Sequence, residues 1–305
     1  MRSLFFGMEG VFSRPPLIQL LHSELTVCGV VVPAPPASPW RDDSSIRRLT
    51  PSRELTSDLP LLMAPPEKTI VGLAWDAGIP VFEVRRLKRA ETLAELAALK
   101  PDALAVACFP RLLPPALLDL APGGAFNIHP SRLPQYRGPE PLFWTFHEGL
   151  DHAGVTVHRM DAGADTGPIA AQSPVHLPDG IGYEQAQRLC AEVGAHLLLS
   201  VLRARRDGTL TLQPQDDSLA SSAPVPGPED FVITPAWSAR RAYNFARGVA
   251  EWGQPIVFDT SEAQVVIREA VGFLEDSAHL SDERATASEG MTRLRCTDGV
   301  LLARV

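Results

Sequence analysis

The sequence predicts an α/β protein built on a central parallel sheet and followed by a small β-rich domain. Two observations support this prediction. Over roughly the first 200 residues, short apolar runs alternate with helical patterns, which is typical of strands joined by crossover helices. Over about the last 75 residues, short strand patterns separated by turn residues replace that alternation.

The opening of the chain shows the alternation most clearly. Residues 25–32 form an apolar, β-branched run, and such a run is typical of a strand buried on both faces of its sheet. A helical pattern at 16–23 precedes it, and residues 1–6 supply a strand before that helix. A strand–helix–strand unit of this kind predicts a right-handed crossover between parallel strands.

The remaining elements of the first domain continue this pattern. The predicted strands are 79–82, 102–108, 125–129 and 154–160, and the predicted helices are 69–77, 91–100, 114–120 and 183–206. Residues 33–68 are rich in Pro, Ser, Asp and Arg, so we expect a long mobile loop there.

A change in composition predicts the domain boundary. Residues 213–229 carry Pro, Ser, Ala and acids but few large apolar side chains, which is typical of a linker. We therefore predict a catalytic domain at 1–212 and a C-terminal domain at 230–305. The predicted elements of the second domain are a helix at 238–249 and short strands that include 264–267 and 293–305.

Charge and hydropathy argue against two functional classes. The 305 residues carry a formal net charge of −8, which argues against a broad nucleic-acid surface, although a local basic groove is compatible with an acidic total. No apolar run approaches the ~18–20 residues of a membrane span. Glu9 interrupts any signal-peptide core. We therefore expect a cytoplasmic protein without a membrane anchor.

The cysteines and histidines argue against a metal site. The four cysteines are Cys28, Cys108, Cys190 and Cys296. They are far apart and form no CxxC pair, so we expect buried, reduced thiols rather than a zinc site or a disulfide framework. His147, His152 and His158 have spacings of five and six, which match no metal motif, and we interpret them as solvated or hydrogen-bonded histidines.

The strand at 125–129 carries the most distinctive polar pattern. Alternation along the strand places Asn127 and His129 on one face, and strand ends line the ligand crevice of an open α/β sheet. Asp165 follows His129 by 36 residues, which leaves room for a helix and a return strand that bring a carboxylate beside the imidazole. A lone histidine at a strand end is more often structural, but the three polar groups together favour a site.

These residues belong to four motifs that resemble those of a known family. The motifs are Asn127-Ile128-His129, Ser131-Arg132-Leu133-Pro134, Tyr136-Arg137-Gly138 and Asp165-Thr166-Gly167. In order and spacing they resemble the Asn-x-His, Ser-Leu-Leu-Pro, Tyr-Arg-Gly and Asp-Thr-Gly motifs of the formyltransferases that use 10-formyltetrahydrofolate. The resemblance is good over 100–205, fair over 1–32 and 230–260, and poor over 33–68.

The resemblance implies a fold and a reaction. The fold would be a Rossmann-like formyltransferase domain followed by a shortened OB-like domain. Formyl transfer from the folate to a primary amine develops an oxyanion, and Asn127 would donate to it, a contribution of about 3–4 kcal/mol at such sites. His129 would hold the same oxygen or move a proton, and Asp165 would orient the imidazole and favour its charged form. The reaction requires no metal.

The resemblance also implies the residues that bind the 10-formyltetrahydrofolate. They are Ser131, Arg132, Leu133 and Pro134 in the loop, and Phe109 at a strand end. Arg132 replaces the usual leucine, and its side chain either points to solvent or meets the glutamate carboxylates of the folate. Phe109 fits ordinary core packing equally well.

Three residues are implied on the acceptor side of the site. They are Tyr136, Arg137 and Gly138. The alternative interpretation of Arg137 is a loop brace that pairs with Glu140 or Glu148.

Several acceptors are compatible with this catalytic set. Within the family, the chain most resembles members that formylate methionyl-tRNA, so we expect tRNA as acceptor. We also expect a monomer. Arginines within 33–68 favour tRNA, but a net charge of −4 over 223–305 argues against it. The arginines are Arg41, Arg47, Arg48 and Arg53.

Three alternatives to tRNA stay open. A nucleotide-linked amino sugar would need the same catalytic set. Water would make the protein a 10-formyltetrahydrofolate hydrolase, which His129-Pro130-Ser131 favours and Asn127 opposes. A catalytically silent folate-binding protein would not need Asn127, His129 and Asp165 together.

Overall fold

The computed structural model describes residues 1–35, 40, 43–51, 67–260, 263–275 and 290–305. Within them the chain forms two compact units. The first comprises Met1–His129, Val155–Ser173 and Ala191–Asp217, and the second comprises Pro130–Gly154, Pro174–Cys190 and Ser218–Val305. These boundaries differ from the predicted domains at 1–212 and 230–305, which stay a prediction about folding units.

Helices and strands alternate along most of the described chain. The α-helices are α1 (Arg14–Leu21), α2 (Ile70–Asp76), α3 (Ala90–Ala97), α4 (Pro115–Leu118), α5 (Pro141–His147), α6 (Tyr183–Arg206) and α7 (Ala239–Gly248). The first eight strands are β1 (Arg2–Gly7), β2 (Thr26–Pro33), β3 (Ile46–Leu49), β4 (Val81–Val84), β5 (Ala103–Ala107), β6 (Ala125–His129), β7 (His152–Arg159) and β8 (Ile169–His176). The remaining strands are β9 (Val232–Ile233), β10 (Ile256–Asp259), β11 (Gln264–Ile267), β12 (Glu269–Glu275), β13 (Thr292–Arg295) and β14 (Gly299–Arg304).

Eight strands form one mixed, mostly parallel sheet in the order β3-β4-β2-β1-β5-β6-β7-β8. The five central strands β4, β2, β1, β5 and β6 are parallel to one another. On either side of them, β3 pairs antiparallel with β4, and β7 pairs antiparallel with β6. The sheet confirms the predicted α/β fold and its parallel opening unit. Because β1, β5 and β6 run parallel, their carboxyl ends meet at one edge.

The parallel strands are buried, as their apolar sequences predict. Leu4 and Phe6 of β1, Val31 of β2, and Leu104 and Val106 of β5 belong to one apolar cluster, and none is more than 2% exposed. Each such side chain contributes about 1.5–3 kcal/mol when it leaves water. The cluster also includes Ala125, the first residue of β6.

An edge strand lies within 33–68, where a mobile loop is expected, so that prediction is wrong for β3. Arg47 and Arg48 are exposed between the apolar ends of this strand, and Arg47 pairs with Glu83 of β4 at 2.6 Å. Charged side chains suit an edge strand, which is why the polar composition conceals it. Residues 36–39, 41–42 and 52–66, with Arg41 and Arg53 among them, lie outside the described residues.

Two further elements escape the sequence patterns. α5 begins with Pro141, which a helix tolerates in its first turn. β8 contains Pro174 and several polar residues, but it lies at the edge of its sheet, where proline is tolerated. The return strand predicted at 154–160 is confirmed as β7, and α5 fills the room for a helix that the spacing between His129 and Asp165 leaves.

The residues predicted as a linker form backbone hydrogen bonds in both units. In the first unit, Gln213 exchanges two hydrogen bonds of 2.8 Å with Ile169. In the second, Ser221 O accepts from Arg137 N at 2.9 Å and Ala223 N donates to Arg137 O at 2.7 Å. The segment predicted as a linker therefore pairs through its backbone, with Ile169 in the first unit and with Arg137 in the second.

The second unit contains the β-rich C-terminal part of the chain. Its strands form two three-stranded sheets, β11-β10-β9 and β12-β14-β13, which confirms the predicted small β-rich region. Beside them lies an aromatic cluster centred on Phe143, whose ring centroid is 5.2–5.8 Å from those of Trp144, Phe231, Phe245 and Trp252. These large side chains supply the apolar core that short strands alone do not.

Three of the four cysteines are buried free thiols, as expected, but Cys108 is exposed. Cys108 follows β5 with φ 55°, where the chain leaves the sheet. In the part of the chain that the structure describes, no helix is long and apolar enough to cross a membrane. No group of three His, Cys, Asp or Glu side chains among the same residues could hold a metal ion.

His147 is a titratable member of the aromatic cluster. Its ring centroid lies 5.2 Å from that of Trp237 and 5.6 Å from that of Phe245. Burial, and then the positive charge of Arg241, lower the pKa of His147.

We expect His147 to make the stability of the protein depend on pH. Because its folded pKa lies below the ordinary value of about 6.5, the unfolded chain binds the proton first as the pH falls. The stabilisation is complete above about pH 6.5 and is lost as the pH falls below it. In thermal denaturation between pH 8 and pH 5, His147→Phe should therefore lose less stability than the wild type.

His196→Phe, at an exposed position on α6, is the matched control and should follow the wild type. An equal pH dependence in His147→Phe and the wild type would contradict the prediction.

Candidate active site

The end of β6 presents the two polar side chains that the alternation predicts. Phe126 and Ile128 are at most 2% exposed and face the core. Asn127 is half-buried and His129 is 4% exposed. The strand that carries these two side chains is held on both sides, because β6 lies between β5 and β7.

The antiparallel neighbour β7 adds a side chain to this face. In the register of the two strands, Asn127 lies opposite His158, and His129 lies opposite Thr156. His158 is 2% exposed. The interpretation of His158 as a solvated or ordinary hydrogen-bonded histidine therefore misses its place in the site, because only the strand register reveals it.

Asp165 lies in a tight loop that follows β7. Asp161 Oδ1 accepts hydrogen bonds from Gly163 N at 3.0 Å and Thr166 Oγ1 at 2.7 Å. A Cβ at Gly167 would lie 1.8 Å from the carbonyl oxygen of Arg159, so the loop requires glycine there. Asp165 itself adopts φ 57°, a region that is uncommon for a non-glycine residue and is found often at functional sites.

Gln215 fixes the backbone of this loop from outside. Its Nε2 donates to Asp165 O at 2.7 Å and to Gly167 O at 2.6 Å. Two hydrogen bonds of this type contribute about 1 kcal/mol each. Gln215 belongs to the segment predicted as a linker, and nothing in its local sequence marks it as a partner of Asp165.

The structure brings Asn127, His129 and Asp165 together and adds His158. His129 Nδ1 lies 3.7 Å from Asp165 Oδ2, and His158 Nε2 lies 3.4 Å from Asp165 Oδ1. Asn127 Nδ2 lies 3.2 Å from His158 Nε2. One carboxylate, 17% exposed, therefore serves two imidazoles.

This arrangement suits the stabilisation of charge and the movement of a proton. A carboxylate beside an imidazole orients the ring and sets which of its nitrogens carries a proton. With Nδ1 of His129 toward Asp165, we expect the opposite ring nitrogen, Nε2, to meet a reacting group. The amide of Asn127 supplies an N–H donor for an oxygen that gains charge.

The predicted folate loop lies in the second compact unit. Ser131 is 1% exposed and its Oγ donates to Gln135 O at 2.7 Å, while Leu133 is 3% exposed and a cis peptide bond joins it to Pro134. Arg132 is exposed. A cleft of about 350 Å³ in this unit is lined by residues that include Ser131, Arg132, Gln135, Tyr136, Glu148 and Gly154.

The three predicted acceptor-side residues adjoin this loop. The hydroxyl of Tyr136 donates to the carboxylate of Glu148, and burial together with this carboxylate raises the pKa of Tyr136. Arg137 pairs through its backbone with Ser221 and Ala223. Gly138 has φ 126°, and a Cβ there would lie 2.7 Å from Ala223 O.

Phe109 lies at the end of β5 in the first unit. Its ring meets that of Phe6 edge-on at 5.4 Å, and it packs against the apolar core cluster. These contacts fit the core-packing interpretation, and a role for Phe109 in binding folate stays a prediction.

Comparison with known proteins decides the family. The family model described as formyl transferase matches residues 48–202, about half of the chain. The chain belongs to the formyl transferase family.

A methionyl-tRNA formyltransferase from Pelobacter propionicus is 34% identical over 241 residues, which cover 79% of this chain and 74% of the relative. A second from Acidobacterium capsulatum is 38% identical over 192 residues, which cover 63% of this chain and 61% of the relative, less than two thirds of its length.

Solved structures of other formyltransferases share the fold of this chain. An N-formyltransferase from Helicobacter canadensis, solved with folinic acid and dTDP-3-aminofucose, matches with a TM-score of 0.63 at 14% identity and covers 100% of this chain and 99% of its own. Methionyl-tRNA formyltransferase from Clostridium thermocellum matches with a TM-score of 0.54 at 12% identity over 89% of this chain and 93% of its own. The protein is thus a formyltransferase of the methionyl-tRNA formyltransferase-like type.

We expect His129→Ala and Asp165→Asn each to lower kcat by ~10²–10⁴, the usual scale for an acid–base group and its orienting partner. The reason is that each substitution removes one side of the contact between the imidazole and the carboxylate. Formyl transfer should be measured under saturating substrates, with circular dichroism to verify folding. Turnover near the wild-type value in either variant would remove that residue from the mechanism.

Proposed function

We propose that the protein transfers the formyl group of 10-formyltetrahydrofolate to the amino group of methionyl-tRNA at Asn127, His129 and Asp165. The observation that carries this proposal is the convergence of these side chains in a chain that belongs to the formyl transferase family. Its curated relatives, named methionyl-tRNA formyltransferases at 34% and 38% identity, support the choice of acceptor.

The proposed mechanism assigns one task to each side chain. The folate supplies a formyl carbon bonded to nitrogen, which the acceptor amine attacks. Asn127 donates its amide N–H to the formyl oxygen as charge develops on it. His129, oriented by Asp165, accepts the proton of the attacking amine and returns it to the departing nitrogen.

The loop from Ser131 to Pro134 holds the folate in this proposal. Ser131 and Arg132 line the cleft of the second unit, and Arg132 offers an exposed guanidinium group to an anionic ligand. Tyr136 lines the same cleft, while Arg137 and Gly138 shape the adjoining backbone on the acceptor side. No step of the proposed reaction requires a metal ion.

A concentration of positive charge in the first unit supports a tRNA acceptor. The cations are Arg47 and Arg48 on β3, and Arg85, Arg86, Lys88 and Arg89 after β4. The indole of Trp40 lies near two of them, 4.9 Å from the guanidinium of Arg47 and 5.0 Å from that of Arg85. Arginines beside a half-buried aromatic ring suit a nucleic-acid strand, whose phosphates and bases they contact.

The acids near this cluster do not neutralise it. Asp43 lies 2.6 Å from Arg86, 3.7 Å from Arg85 and 3.9 Å from Arg89, so three guanidinium groups share one carboxylate. The hydrogen bond from Arg86 and the nearby arginine charges lower the pKa of Asp43. Glu83 pairs with Arg47 at 2.6 Å, so these two carboxylates face six cations, and the cluster keeps a net positive charge in a protein of net charge −8.

The acceptor is tested by offering methionyl-tRNA and a nucleotide-linked amino sugar to the purified enzyme with 10-formyltetrahydrofolate. We expect formyl-methionyl-tRNA and no formylated sugar. A control reaction without an acceptor measures release of formate to water. A formylated sugar in the absence of formyl-methionyl-tRNA, or hydrolysis at the same rate with and without acceptors, would refute the proposed acceptor.

We expect the basic cluster to contribute to the salt dependence of tRNA binding. Removing one arginine that binds a phosphate lowers the slope of log Kd against log salt concentration by about 1, so the double variant Arg86→Gln, Arg89→Gln should lower it by up to about 2. Arg188→Gln, an arginine on α6, is the control and should keep the wild-type slope. A wild-type slope in the double variant would exclude the cluster from the tRNA interface.

A further inference from the structure

We propose that His158 is a positioning residue, whose neutral Nε2–H donates to Asp165 and fixes the amide of Asn127 in its donor orientation. This inference rests on the proposed function, since it assigns a role within the same site. It goes beyond the family motifs, because His158 belongs to none of the four that carry the resemblance.

The position of His158 is set by strand pairing. It lies on β7 opposite Asn127 of β6, and its ring centroid lies 6.5 Å from that of His129 with an interplanar angle of 86°. At 2% exposure the ring has no access to bulk water. Its Nε2 meets two groups, Asn127 Nδ2 at 3.2 Å and Asp165 Oδ1 at 3.4 Å.

The other ring nitrogen decides where the proton lies. Nδ1 of His158 is buried and has no hydrogen-bond partner within the described residues. A proton on Nδ1 would bury an N–H without an acceptor, which is rare in folded proteins. It would also leave the lone pair of Nε2 facing a carboxylate oxygen. A proton on Nε2 donates to Asp165 and leaves only a lone pair on Nδ1 without a partner, which folded proteins tolerate better than a buried N–H without an acceptor.

The Nε2–H tautomer determines how Asn127 is oriented. Two N–H donors do not bond to each other, so the amide turns by 180° about χ2 and presents its oxygen to His158. Oxygen and nitrogen of an amide occupy nearly the same space, so the oxygen takes the place of Nδ2, which lies 3.2 Å from Nε2 of His158. Nδ2 of Asn127 then faces away from His158, where it can donate to the formyl oxygen.

Nε2 carries one proton, which the amide oxygen of Asn127 and Oδ1 of Asp165 share as a three-centre hydrogen bond, so the same proton also holds the carboxylate of Asp165. With Oδ1 accepting from His158, Oδ2 is the oxygen 3.7 Å from His129 Nδ1. His158 therefore positions both an oxyanion donor and the partner of the catalytic imidazole without touching the reacting atoms. A residue with this role affects kcat and leaves the binding of either substrate unchanged.

The kinetic test compares two substitutions. His158→Leu removes the donor in a similar volume, and we expect kcat to fall about 10–100-fold while both KM values stay within about twofold. His158→Gln places an amide N–H near the position of Nε2 and should recover at least half of that loss on a logarithmic scale. His176→Leu, at an exposed position on β8, is the matched control and should retain the wild-type kcat.

The spectroscopic test reads the tautomer in the wild-type protein. A two-bond ¹H–¹⁵N correlation spectrum, assigned to His158 by the loss of its signals in His158→Gln, should show a neutral ring protonated at Nε2. A ring protonated at Nδ1, or at both nitrogens at neutral pH, overturns the proposal even if His158→Leu fails to fold. Equal kcat in His158→Leu and the wild type overturns it as well.

These outcomes are separable from the failure of the proposed function. If the enzyme formylates another amine instead of methionyl-tRNA, the same variants are tested with that amine, and the tautomer measurement needs no acceptor.

Discussion

The contact of one carboxylate with two buried imidazoles is the interaction on which the site depends. Asp165 reaches His129 on β6 and His158 on β7, with distances of 3.7 Å and 3.4 Å between the nearest polar atoms. The two rings occupy adjacent strands whose register the buried sheet sets. A shift of one residue in that register would turn His158 to the other face of the sheet and leave the carboxylate with one partner.

Holding this carboxylate requires support from the backbone. Asp165 is at φ 57°, and its side chain is mostly buried, so both its conformation and its charge are costly without partners. The hydrogen bonds from Gln215 and the contacts of Asp161 fix the loop, and the absence of a side chain at Gly167 lets it approach Arg159. The loop keeps a strained residue because several contacts determine its shape together.

The sequence predicts the parts of this account that depend on local pattern. Period-two alternation places Asn127 and His129 on one face, and the spacing to Asp165 leaves room for the observed helix and return strand. His158 and Gln215 could not be found in this way, because their roles depend on strand register and on contacts between distant segments. The edge strand β3 escapes prediction for a related reason, since its charged residues face solvent and give the segment the composition of a loop.

The most direct test of the account is a double-mutant cycle on kcat for formyl transfer, built from His129→Ala, Asp165→Asn and the double variant. If the imidazole and the carboxylate act as one unit, the double variant should be no more than about threefold slower than the slower single variant. Losses that multiply, so that the double variant falls by the product of the two single effects, would show that the residues act independently and would contradict the central claim.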